Sequence, residues 1–258
     1  DVVISPNVSA RLYLPRLGND AGDAKLPILV YYHGGGFCIG SAFNPIFHAY
    51  FTAFVGLANA LVVSVEYRLA PEHPVPAAYA DSWDALTWVV SQSSHLASAS
   101  ADPWIAGHAD FSRLYLGGDS AGANIVHHMA MRAAAAEGLA HGARIRGLVM
   151  VHPYFLGTDR VPSDELSPET RGSLASLWRV VCPSSTAGDD DPLINPLVDG
   201  APALASLACA RVLVCVAEGD VLRDRGRAYF DRLRASGWPG EAEICQAPDK
   251  GHTFHFMD

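Results

Sequence analysis

Gly118-Asp119-Ser120-Ala121-Gly122 decides how this chain is read, because residues 113–116 before it have the composition of a strand and residues 123–126 after it that of a helix. A serine at a sharp strand-to-helix turn exposes its hydroxyl, and a glycine two residues to either side lets neighbouring backbone approach without a Cβ clash. Upstream, the apolar run Ile28-Leu29-Val30 leads into Tyr31-Tyr32-His33-Gly34-Gly35-Gly36-Phe37. A glycine loop after a strand offers bare backbone N–H groups, which stabilise the oxyanion of an acyl-transfer intermediate. Gly34, Gly35 and Ala121, the residue after the serine, are the expected oxyanion donors.

A serine hydroxyl needs a base to take its proton and a carboxylate to orient that base, in the chain order Ser, Asp/Glu, His. The apolar run 211–216 reads as a buried parallel strand, and Asp220 lies just past its C-terminal end, where α/β folds place their sites. His252 follows a second strand-like stretch, residues 243–246. Ser120, Asp220 and His252 are therefore the candidate catalytic residues. Glu218 and Asp224 compete for the acid's place, although Asp224 falls in the helical pattern that starts at Val221 and suits its N-terminus. His255 competes with His252, whose position after Gly251 favours it. His127 and His128 sit within the helix after the serine and read as structural, as do His48, His73, His95, His108, His141 and His152.

Three further motifs join the two already quoted: Glu66-Tyr67-Arg68-Leu69-Ala70-Pro71-Glu72, Asp191-Pro192-Leu193-Ile194-Asn195-Pro196 and Gly251-His252-Thr253-Phe254. Together the five resemble the plant carboxylesterases of the hormone-sensitive-lipase-like branch of α/β-hydrolases, over nearly the whole chain. The resemblance implies a serine carboxylesterase without cofactor or metal, using Ser120, Asp220 and His252. The same branch contains gibberellin receptors that lack the catalytic histidine, and dehydratases that reuse the pocket for elimination. The presence of both Ser120 and His252 favours hydrolysis over a hormone receptor or a dehydratase.

Strand-like runs at 11–14, 26–32, 61–67, 113–116, 147–152, 211–216 and 243–246 alternate with helical patterns at 45–58, 76–90, 121–137 and 222–236. This predicts an α/β-hydrolase fold in one domain over 1–258, with a mainly parallel sheet covered on both faces. Residues 157–192 break the alternation with several prolines and an amphipathic patch at 174–178, and form a candidate lid. Phe37, Phe155, Leu156, Val221 and Phe254 flank the expected catalytic loops and are candidates for an apolar substrate pocket.

Composition bounds the partners. With 18 Lys and Arg against 27 Asp and Glu, the formal charge of -9 argues against nucleic acid, which needs clustered cations. No apolar run approaches the ~20 residues of a membrane span. Five cysteines, odd in number and without C-x-x-C spacing, suggest neither a disulfide framework nor a zinc site, and point to a reducing, cytoplasmic setting. Asp1 is not an initiator methionine, so the chain is expected to lack its natural ends and a targeting segment upstream stays open. The expected partner is a small-molecule ester; oligomeric state is not legible.

Overall fold

The computed structural model describes residues 1–16, 25–93 and 101–257; His95 and Asp258 lie outside them. Eight strands form one sheet: β1 (Val2–Ser5), β2 (Val8–Tyr13), β3 (Leu26–Tyr32), β4 (Leu61–Glu66), β5 (Ala109–Asp119), β6 (Ile145–Val151), β7 (Arg211–Ala217) and β8 (Glu241–Ala247). Their order is β1-β2-β4-β3-β5-β6-β7-β8. The β1–β2 and β2–β4 pairs are antiparallel, and every pair from β4 to β8 is parallel. The helices are α1 (Pro45–Ala58), α2 (Ala77–Ser91), α3 (Pro103–His108), α4 (Ala121–Ala135), α5 (Pro168–Val181) and α6 (Arg223–Ala235).

Parallel strands buried on both faces are continuously apolar, and β4, Leu-Val-Val-Ser-Val-Glu, is buried at five of its six positions. On one face α2, α4 and α6 join the strands in the main core around Leu116, Met150, Val214 and Trp178. On the other, α1 lays Phe47, Phe51 and Val55 against Tyr13, Leu29, Tyr31 and Val62. The cover is uneven. Val149, Val151, Leu213 and Cys215, on the half of the sheet away from α1, stay only half-buried. Residues 157–192, the candidate lid with its amphipathic patch at 174–178, contain the 14-residue helix α5, with Ser167 capping the Thr170 N–H and Pro168 in its first turn.

This architecture positions the site through close backbone approach at one turn. A Cβ on Gly122 would lie 1.8 Å from the Tyr32 carbonyl oxygen, and one on Gly118 would lie 2.4 Å from the Gly122 carbonyl carbon. The two glycines let β3, β5 and the start of α4 meet. Between them the chain has no option but a tight reversal.

Candidate active site

Ser120 occupies that reversal with φ 52° and ψ -116°, a conformation that costs a residue with a side chain on the order of 1–3 kcal/mol and persists only where its surroundings enforce it. The enforcement is visible. The Ser120 N–H donates to the Val151 carbonyl at 2.8 Å, and the Ser120 carbonyl accepts the Tyr154 N–H at 3.0 Å. The serine is 8% exposed, and its Oγ has no hydrogen-bond partner among the described residues.

β7 and β8 bring the other two candidates together. Their pairing continues past the strand ends through Glu218 N–H to the Ala247 carbonyl at 3.0 Å and Gly219 N–H to the Lys250 carbonyl at 2.8 Å. Asp220 and His252 therefore face each other, with Asp220 Oδ2 2.7 Å from His252 Nδ1. The other carboxylate oxygen accepts the Leu222 N–H at 2.9 Å. Asp220 is 2% exposed. Since an ionised carboxylate only accepts, Nδ1 carries the proton and Nε2 is left with its basic lone pair. Glu218 is turned to the Asp249 N–H, and Asp224 pairs with Arg223 at 2.8 Å and accepts the Ser163 N–H at 2.8 Å. Neither competes for the imidazole. His255 is packed on Phe256 with ring centroids 3.9 Å apart.

The glycine loop departs from expectation at its first member. The Gly34 N–H donates to Asp119 Oδ1 at 3.0 Å, so it is already engaged and cannot face an oxyanion without breaking that bond. The amides of Gly35, Gly36 and Ala121 have no acceptor among the described residues. Asp119 is the site residue that the sequence reading passed over. It also accepts the Tyr31 hydroxyl at 2.7 Å, tying the loop after β3 to the elbow after β5. A carboxylate placed between the first glycine and the serine was the available signal. Burial pushes its pKa up to about 6, against the lowering effect of the Tyr31 and Gly34 hydrogen bonds. Tyr67 fixes the same loop by donating to the His33 carbonyl at 2.7 Å while its ring stacks on the His33 imidazole.

The expected pocket residues divide. Phe37, Phe155, Leu156 and Val221 are 1%, 2%, 1% and 7% exposed, so little of their surface is free to line a pocket open at Ser120. Phe37 packs among Tyr79, Tyr154 and Trp178. Phe155 and Leu156 instead border a separate cavity of about 460 Å³ beside Asp190 and Arg225. Phe254 is partly exposed. The side chain that closes on the glycine loop is Leu177 of α5, whose Cδ2 stands 2.5 Å from where a Cβ on Gly36 would be. Its segment is anchored by Arg225, which donates to the carbonyls of Gly157 and Asp159, and by Arg171, which pairs with Asp189 at 2.7 Å.

Among the described residues His152, Asp220 and His252 form the grouping with metal-ligand atoms close together, within 4.8 Å of one another. Two of its members already satisfy each other. No helix among the described residues is long and apolar enough to cross a membrane.

Burial leaves several imidazoles neutral. It lowers His33, His128, His152 and His255 to about 4, and His127 well below its ordinary 6.5. As pH falls through 6.5 the unfolded chain takes up protons that the folded chain refuses, so stability from these groups is present above about pH 6.5 and lost on the way to about 4. Asp119 works in the opposite sense: its raised pKa contributes stability below about 4 that is lost as pH rises through about 6. Five groups outweigh one. The urea midpoint should fall between pH 6.5 and pH 4, and a flat or rising midpoint in that window would contradict the burial of these rings.

The family profile described as an alpha/beta hydrolase fold matches residues 29–256. The chain is 49% identical to 2-hydroxyisoflavanone dehydratase of Glycyrrhiza echinata, over 98% of this chain and 77% of that protein. It is 48% identical to the chloroplastic tuliposide A-converting enzyme 1 of Tulipa gesneriana, over all of this chain, which spans 64% of the tulip enzyme's length. Probable carboxylesterase 1 of Arabidopsis thaliana is 43% identical, over all of this chain and 80% of its own length. Among solved structures, the esterase of Pyrobaculum calidifontis superimposes with a TM-score of 0.77 at 30% identity, covering 97% of this chain and 74% of that one.

Proposed function

The chain belongs to the hormone-sensitive-lipase-like branch of the α/β-hydrolases, with plant carboxylesterases and related plant enzymes, and from that membership we propose that it hydrolyses carboxylic esters of small hydrophobic molecules through an acyl-Ser120 intermediate. The observation that carries the reading is the Asp220–His252 hydrogen bond of 2.7 Å, made by the two loops that follow β7 and β8. It fixes the imidazole in the tautomer a serine nucleophile requires.

In the proposed reaction Ser120 Oγ attacks the ester carbonyl as His252 Nε2 takes its proton. The amides of Gly35 and Ala121, with Gly36 in the place first expected of Gly34, meet the oxyanion. His252 then protonates the leaving alcohol, and the acyl group stays on Ser120. Water, deprotonated by the same nitrogen, attacks the acyl carbon and releases the acid, restoring the serine. Asp220 stabilises the imidazolium that forms twice in each cycle. The Ser120–His252 hydrogen bond needed for the first step is open in the structure, as such bonds often are before substrate binds.

Identity to a protein named as a dehydratase favours a second reading, in which His252 removes a proton for elimination and no acyl group is transferred. The two differ in a covalent species. Protein quenched with acid during turnover of a p-nitrophenyl ester should carry one acyl group on the peptide containing Ser120. Absence of that adduct together with dehydration of a 2-hydroxyisoflavanone would establish elimination. Tight binding of a small metabolite with neither activity would indicate a receptor.

A further inference from the structure

His152 touches both halves of the site without belonging to the expected catalytic set. It follows β6 directly, is 1% exposed and has φ 49°, the left-handed region that residues with a side chain rarely occupy. The main chain on either side of it, Val151 and Tyr154, brackets Ser120, and its own N–H donates to the Cys215 carbonyl at 2.8 Å. Its side chain reaches the opposite loop: Nδ1 accepts the Thr253 N–H at 2.9 Å. Thr253 is next to His252 and is itself left-handed, with φ 57°. The rings of His152 and His252 lie 5.4 Å apart, centroid to centroid.

We propose that His152 is a positioning residue, a clamp that sets the His252 imidazole relative to Ser120 by holding the main chain of the histidine loop. The proposal deepens the esterase reading and rests on it for its kinetic consequences. The chemistry of the ring supports it. Nε2 is buried with no partner, a condition that costs free energy and that a phenylalanine of similar bulk would avoid. What the imidazole offers in return is the acceptor at Nδ1.

An acceptor nitrogen must be unprotonated. Burial lowers His152 to about 4; the neighbouring His252 and His255 lower it further, and Asp220 opposes them. The clamp thus stays closed at neutral pH, where the His152 ring is uncharged.

The test compares two variants of the full chain. In His152→Asn, Oδ1 supplies an acceptor near the position of Nδ1, and asparagine tolerates the left-handed backbone. His152→Leu keeps bulk and removes the acceptor. Leucine should lower kcat on a p-nitrophenyl ester on the order of 10²-fold through misplacement of His252, with KM changed by less than about twofold; asparagine should stay within about fivefold of the parent. If leucine prevents folding, His152→Gly, which suits the backbone and also lacks the acceptor, takes its place under the same criteria. Equal losses in both variants, or a loss of less than about threefold without the acceptor, overturn the proposal. A second readout is independent of turnover. The low-field proton resonance of His252 Nδ1–H should persist in the asparagine variant and broaden in the variant lacking the acceptor. That resonance unchanged in every variant overturns the clamp even where Ser120→Ala has shown that ester hydrolysis is not the reaction.

Discussion

Ser120→Ala is expected to lower kcat for a p-nitrophenyl ester on the order of 10⁶-fold while leaving the fold and the binding of the product acid in place. The size follows from the loss of the covalent route: the oxyanion donors and the binding surface survive, but nothing attacks the carbonyl except unpositioned water. Stability should hardly change. Ser120 Oγ has no hydrogen bond to lose among the described residues, and alanine at φ 52° inherits the same backbone strain that the Val151 and Tyr154 hydrogen bonds already oppose. Titration with an organophosphonate, which should label the parent stoichiometrically and the variant not at all, separates residual activity from contaminating parent enzyme. A variant retaining a percent or more of the parental kcat would remove Ser120 from the nucleophile's role.

Asp220→Asn is the second large effect, a fall in kcat on the order of 10⁴-fold. The side-chain amide can present N–H where the carboxylate presented oxygen, so the imidazole turns to the tautomer with the proton on Nε2 and loses its basic nitrogen on the serine side. The charge opposite the imidazolium goes as well. Asp224→Asn is the control. Its carboxylate, held below the usual range chiefly by the Arg223 hydrogen bond, secures the Ser163 N–H of the segment before α5. That substitution should lower the urea midpoint and leave kcat within about a factor of two, since the partners of Asp224 are Arg223 and Ser163 and not the imidazole. The reverse pattern, an inert Asp220→Asn and a dead Asp224→Asn, would mean that the 2.7 Å contact with His252 plays no part in turnover.

The parts of this molecule legible in the sequence are those where one residue type has one physical use. Gly118 and Gly122 admit no side chain, so the elbow could be read from five letters. β3, β4 and β7 are predominantly apolar runs, and α1 begins and ends at the expected Pro45 and Ala58. Helix α5 was only partly visible, as the patch 174–178, because its first two turns are polar and charged and the surrounding segment is rich in proline; the start signal was Ser167 followed by Pro168. The pocket was the least legible part. Phe37 and Phe155 look like pocket residues because they flank the loops, but large apolar side chains beside a site are equally its foundation, and only three-dimensional packing distinguishes the two. Gly34 illustrates the same limit among donors, since its amide is taken by Asp119, 85 residues away.

β8 is an edge strand, paired on one side only, and none of its residues is fully buried. It is also the strand that carries His252. Regions with few buried contacts open locally at much lower free energy than the global transition requires. Fraying of β8 from β7 would withdraw the base while β3, β5 and β6 continue to hold Ser120 in its turn. The expected nucleophile is held by central strands of the sheet and its expected base by an edge strand, so mild stress that frays β8 is expected to silence the proposed activity before the protein unfolds.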